Sequence, residues 1–161
     1  AFYSKGLVFD AFKVLGLAKE TRKLLPYTFL SVTVPHVLPL DQQTQLALDL
    51  AALDVDLIQT EGGTSAKPFS PGSLGLIEKA APTLAASHAI SKALASESLP
   101  LPVLCASGLS AVTAPMAIAS GASGVGIGSA VNRLTDYVSM VAVVRELRES
   151  LVSTKIPLIN S

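Results

Sequence analysis

The 161-residue chain has no tryptophan, one cysteine, two histidines and no excess of either charge, twelve Lys and Arg standing against twelve Asp and Glu. Each shortage closes a class of function. A lone Cys105 cannot form an internal disulfide, which suits a reducing compartment. Two separated histidines and no carboxylate cluster at ligand spacing give no zinc or iron site, so no metal is expected. Basic residues stand singly or in pairs such as Arg22-Lys23, without the clustering that neutralises a phosphate backbone, and nucleic acid is not an expected partner. Long apolar runs are missing as well: Ser, Gly, Thr or a charge interrupts each before the roughly 18 to 20 residues that a membrane span needs. A soluble neutral domain, or part of one, with no membrane partner is the expectation. The opening Ala1-Phe2-Tyr3 is no initiator, signal or transit pattern, and a piece that begins mid-protein is expected.

What the sequence does contain is a repeated switch between helical and strand periodicity. Asp10 reads as a helix start, with Phe12, Leu15, Leu17, Ala18, Leu24 and Leu25 placed near one face until Pro26 stops the helix. Residues 28–34, TFLSVTV, are β-branched and aromatic and read as a strand. Asp41 opens a second helix, residues 55–60 form a second strand, and the loop EGGTSAKPFSPG follows. From Ser73 to about Ala95 the composition is helical, and Pro82 is expected to split that segment in two. Residues 102–107 read as a strand, 111–121 as a short helix ended by Gly121, 124–129 as a glycine-laden strand and 135–151 as a last amphipathic helix. The assignment is a domain over 1–151 and a loose tail over 152–161.

A leading helix followed by four strand-helix units is an α/β pattern with parallel strands. Two architectures fit it, a doubly wound open sheet and part of a (β/α)8 barrel. A full barrel takes about 250 residues, so four units would be half of one.

In such folds chemistry sits on the loops after the strands, and barrels commonly hold phosphate after their last two. Here those strands run into Ala106-Ser107-Gly108-Leu109-Ser110 and Gly126-Ile127-Gly128-Ser129-Ala130. Gly108, Gly126 and Gly128 let backbone N–H groups approach an anion with no Cβ between, and Ser107 and Ser129 add hydroxyl donors, against the simpler reading that the glycines only make room for tight helix-strand packing. Competing glycine motifs fail letter by letter. The spacing of a dinucleotide fingerprint finds Ser129 and Val131 where glycine is required, a Walker A ending is absent, and Gly108-Leu109-Ser110 lacks the closing glycine of a serine elbow. On the two earlier loops, His36 and Glu61 are candidates for general base and acid, against the simpler reading that each only supports its loop. Cys105 reads as a small buried hydrophobe, His88 receives no role, and Arg133 is a weak candidate for approaching phosphate.

The strings SVTVPH, IQTEGGTS, PGSLGLIEKAAPTLAASHAIS, VLCASGLSAVTAPMAIASGASGVGIGSAVN and VAVVREL carry a resemblance to the Ycf23 family, proteins of cyanobacteria and plastids that are also catalogued as a domain of unknown function. The resemblance runs from about Phe2 to Leu151. It implies an aldolase-type TIM barrel, with this chain matching the C-terminal half from the loop after strand 4 onward. Half a barrel would leave two strand edges and its inner face uncovered, so its partner would be the missing N-terminal half or a homo-oligomeric copy. The implied location is the chloroplast or plastid stroma, or the cyanobacterial cytoplasm. The family supplies no settled reaction. Fold analogy points to an enzyme acting on a small phosphorylated metabolite, of isomerase, lyase or synthase type, with FMN able to present the same phosphate. A non-catalytic phosphometabolite or nucleotide sensor, or a partial sequence without activity of its own, are the alternatives.

Overall fold

The computed structural model describes residues 6–62 and 67–152; most of the assigned tail and residues 63–66 of the EGGTSAKPFSPG loop lie outside them. The described chain is α/β. Helix α1 (Ala11–Leu24) leads into β1 (Ser31–Thr33), followed by α2 (Leu40–Ala51), β2 (Leu57–Gln59), α3 (Gly72–Ser96), β3 (Val103–Ala106), α4 (Ala114–Ala119), β4 (Gly124–Gly126), the single turn α5 (Ser129–Asn132) and α6 (Tyr137–Val152). The four strands form one parallel sheet in the order β1-β2-β3-β4.

That order rules out the doubly wound alternative. A doubly wound sheet reverses its strand order at a switch point and carries helices on both faces. Here successive strands are neighbours throughout, and crossovers of one hand then place their helices on one side. The register agrees: Val32 pairs with Ile58, Ile58 with Val103, and Cys105 with Val125, giving one row of apolar residues. Ile58 and Val103 pack there against Val14 and Ala18 of α1, Leu46, Ala47 and Leu50 of α2, and Ile90 and Leu94 of α3. The opposite face carries Ser31 and Thr33, both exposed, with Leu57, Gln59, Leu104 and Gly124 half-buried.

Local chemistry explains the starts of three helices. Asp10 caps α1, its Oδ1 accepting from Lys13 N at 2.8 Å, and so satisfies one of the free amides of the first turn. The buried Gln43 side chain donates to Leu38 O at 2.8 Å and ties α2 to the loop before it. Asp136 accepts from the amides of Val138 and Ser139 at the start of α6. A side-chain hydrogen bond from Ser139, followed by those amide bonds, favours the charged carboxylate and holds its pKa below the usual value.

Four expectations change. The strands are shorter than their β-rich runs: the first pairs only over 31–33, and the last ends at Gly126, because residues 129–132 turn into α5 with Gly128 as its N-cap. Pro82 does not split its segment, and α3 runs unbroken for 25 residues. Pro82 is exposed, so the carbonyl that its missing N–H leaves free can be met by water. Only part of the expected face of α1 turns inward: Leu15 and Ala18 pack on the core, whereas Phe12 is 86% exposed and Leu17, Leu24 and Leu25 are exposed as well. Val14 and Ala18 point inward with Ala11 and Leu15 beside them, a spacing of three and four residues that fits one helical stripe.

Candidate functional site

At the C-terminal ends of the strands, Ser107, Gly108, Gly126, Gly128 and Ser129 line one cavity of about 470 Å³, together with Gln59, Ala106, Leu109, Ile127 and Ala130. The two glycine turns are therefore brought together, as neighbouring parallel strands about 5 Å apart require. In the sequence Gln59 stands with Thr60 and Glu61 among the polar groups at the end of the second strand, but without a role. Its side chain shares the bare sheet face with Thr33 and Leu104, and period-2 alternation from the buried Ile58 would have pointed to it.

Each turn residue has its own constraint. Ser107 and Gly108 both lie in the left-handed region, at φ +77° and +75°. Glycine tolerates that geometry, whereas serine is strained in it, and strain of this kind collects at functional sites. A Cβ on Gly108 would also lie 2.9 Å from Lys79 O, so the helix backbone closes off the position. Gly126 faces Ala106, whose Cβ would be 3.0 Å from an added one. Gly128 opens on space, the nearest atom to an added Cβ being Asn132 Nδ2 at 3.9 Å. Glycine at 126 serves packing between strands, and at 128 it leaves room in the cavity.

His36 and Glu61, 25 residues apart, meet at the ends of β1 and β2. His36 Nδ1 lies 3.0 Å from Glu61 Oε2, and the His36 amide donates to the same oxygen at 3.3 Å. Both side chains are partly buried. A carboxylate on Nδ1 fixes the imidazole tautomer and its orientation. Neither residue is among those lining the cavity. The link between pair and cavity is Gly62, where an added Cβ would sit 3.1 Å from Ser107 O. The loop carrying Glu61 therefore packs directly on the first glycine turn.

The remaining candidates fall outside. Cys105 is wholly buried against Thr83, its thiol donating to Thr83 O at 3.6 Å. His88 is exposed on α3, and Arg133 ends α5 in solvent, outside the cavity lining. Among the described residues no group of three or more His, Cys, Asp or Glu converges to hold a metal ion. No helix of these residues is long and apolar enough to cross a membrane.

A family model described as a protein of unknown function, DUF561, matches residues 1–157. The chain is similar to curated proteins named uncharacterized protein ycf23. It is 39% identical to the one from Porphyra purpurea over 152 residues, which cover 94% of this chain and 56% of the relative. Against that of Cyanophora paradoxa it is 42% identical over 147 residues, 91% of this chain and 58% of the relative. The protein of Pyropia yezoensis is 36% identical over 151 residues, 94% and 54%. The chain thus spans little more than half the length of these relatives. No solved structure matches it significantly.

Proposed function

This chain belongs to the DUF561 family of proteins of unknown function, and on that footing we propose that it binds a small phosphorylated metabolite at the ends of β3 and β4. The observation that carries the reading is the single cavity of about 470 Å³ into which both glycine turns converge. Bare backbone and the hydroxyls of Ser107 and Ser129 suit a phosphate monoester, or the phosphate of FMN. Its architecture is half of a (β/α)8 barrel. Supporting this are the sequential parallel strands, helices packed on one face, and a second face bearing exposed Ser31 and Thr33. Relatives of nearly twice the length support a complement of four further strands, from an N-terminal half or from a second copy. Relatives from red algae and a glaucophyte support a place in the plastid stroma, or in cyanobacterial cytoplasm.

In the enzymatic form of this reading, of isomerase, lyase or synthase type, the His36–Glu61 pair moves a proton on a substrate anchored by its phosphate. One observation favours a second form: the pair lies outside the cavity lining. That arrangement suits a sensor which binds the phosphorylated ligand without turning it over.

Thermal stabilisation of the full chain by sugar phosphates, nucleotides and FMN tests the binding. Gly128→Val is the informative variant, because it fills open space without striking the sheet, and it is expected to abolish the ligand-induced shift while leaving the unliganded Tm nearly unchanged. Gly126→Val is its counterpart and should lower Tm without ligand, since its Cβ strikes Ala106. Equal shifts in the wild type and Gly128→Val would refute the phosphate cavity. His36→Ala separates the two forms: the enzyme loses turnover, whereas the sensor keeps full binding and has no turnover to lose.

A further inference from the structure

Beneath the cavity lie two threonines that no motif singles out, Thr60 at 1% exposure and Thr83 at 0%. Pairing between β2 and β3 runs through Thr60 N, which donates to Leu104 O at 2.9 Å. The next rung would take the Ala106 amide to the Thr60 carbonyl. Instead Ala106 N donates to the Thr60 side chain, Oγ1, at 3.2 Å. Thr60 Oγ1 is 2.7 Å from Thr83 Oγ1, and Thr83 Oγ1 donates to the carbonyl of the same Ala106.

Each hydroxyl has one proton, so these contacts fix every direction. Thr83 gives its proton to Ala106 O and must accept from Thr60, while Thr60 accepts from Ala106 N–H. The two hydroxyls close a ring on the backbone of one residue. That residue immediately precedes Ser107 and Gly108, the consecutive left-handed pair. Thr83 also abuts the other half of the site, because an added Cβ on Gly62 would lie 3.3 Å from Thr83 Cβ and 3.1 Å from Ser107 O.

We propose that Thr60 and Thr83 are positioning residues: their hydroxyl ring locks both polar groups of Ala106 and so holds the Ser107-Gly108 turn in the left-handed geometry that shapes the cavity. A β-ladder rung at this place would continue the strand and carry Ser107 on in extended form. Replacing that rung by side-chain hydroxyls ends the pairing of β2 with β3 and lets the chain turn away above it. An apolar residue of the same shape would keep the packing but leave Ala106 O and the Thr60 hydroxyl buried with one partner fewer. The consequence for ligand affinity rests on the phosphate reading above; the consequence for the turn does not.

The test compares Thr83→Val and Thr83→Ser in the full chain by amide NMR at Ser107 and Gly108, alongside titration with inorganic phosphate. Thr83→Val should displace both turn amides while those of Leu46 and Leu50 stay in place, and phosphate affinity should fall by about tenfold, the scale of one lost hydrogen bond. Thr83→Ser should restore both. Unmoved turn amides in Thr83→Val, or an equal displacement in Thr83→Ser, would overturn the proposal. Wild-type protein that ignores phosphate would sink the phosphate reading alone, since the amides still decide the positioning role. If Thr83→Val does not fold, Thr60→Val against Thr60→Ser opens the same ring from the strand side and is judged by the same amides.

Discussion

The two halves of the sheet are built from different materials. Around β1, β2 and the first residue of β3 the core is large and aliphatic, with Val34, Leu46, Leu50, Ile58, Ile90, Leu94 and Val103 fully or nearly fully buried. Around β3 and β4 it is built mainly from small residues, Ala80, Cys105, Ala117 and Ala122, with Leu109 the largest fully buried member. Apolar burial stabilises by roughly 0.8 kcal/mol per buried methylene, so most of the cohesive energy sits in the first half. Small residues in the second half let the end of α4 approach α3 closely, as Gly121 shows, where an added Cβ would lie 2.9 Å from Ser91 Cβ. The cavity lies over the half with less to lose from close packing. Stability and candidate site are thus partly separated along the sheet.

The strongest challenge to that contrast is a large-to-small change in the aliphatic half. Leu50→Ala should cost about 2 to 5 kcal/mol by denaturant unfolding, because a cavity is left among ordered neighbours. The reverse change probes the small-residue half. Ala117→Leu, wholly buried, should cost about 1 to 3 kcal/mol through overpacking and should disturb phosphate binding, whereas Leu50→Ala should leave the affinity of the folded fraction unchanged. If both substitutions weaken binding equally, the halves are not separate. A smaller effect is expected at the turn itself: Ser107→Gly should be neutral or stabilising by up to about 1 kcal/mol, since it relieves the left-handed strain but adds freedom to the unfolded chain. Loss of ligand affinity in that variant would assign binding to the hydroxyl rather than to the backbone.

The smallest effect is electrostatic and lies at the opposite end of the strands from the cavity. Asp56 accepts from the amide of Leu30 and from Arg22, which also reaches the carbonyls of Thr28 and Asp54. The backbone hydrogen bond from Leu30, then the bond from Arg22, hold the Asp56 carboxyl below its usual value of 3.8. A depressed folded-state pKa stabilises the protein above the unfolded value, and that stabilisation is lost as pH falls through the folded one. Asp56→Asn should therefore flatten the pH dependence of Tm below about pH 4 and leave the cavity half unaffected.

Much of the organisation is legible in the sequence, and the places where it is not have local causes. The change from period 3.6 to period 2 located every strand and every helix except the single turn α5 in order, and Asp10 and Gly121 marked ends that the structure keeps. The glycine turns stood out as glycines at the ends of two consecutive strands, and only the structure separates Gly126, which serves packing, from Gly128, which opens on space. The inward face of α1 was only partly legible, since apolar residues surround that helix and only contact with α2 and the sheet selects Val14 and Ala18. Pro82 misled for a related reason: whether proline breaks a helix depends on whether water reaches the freed carbonyl. Gln59, Thr60 and Thr83 lie within the quoted strings IQTEGGTS and PGSLGLIEKAAPTLAASHAIS, but nothing in those strings assigns them a role, because a threonine hydroxyl acquires its role from the partner it meets.

By itself, then, the sequence determined the α/β alternation, the four strands and the two bare-backbone turns, all of which follow from residue spacing and the steric freedom of glycine. Only the tertiary structure decided that the strands lie in sequential order, that His36 and Glu61 meet across 25 residues, and that two buried hydroxyls take the place of a ladder rung beneath Ser107. The physical reason is that periodicity is written in neighbours along the chain. Register, pairing and proton direction arise from groups that folding brings together.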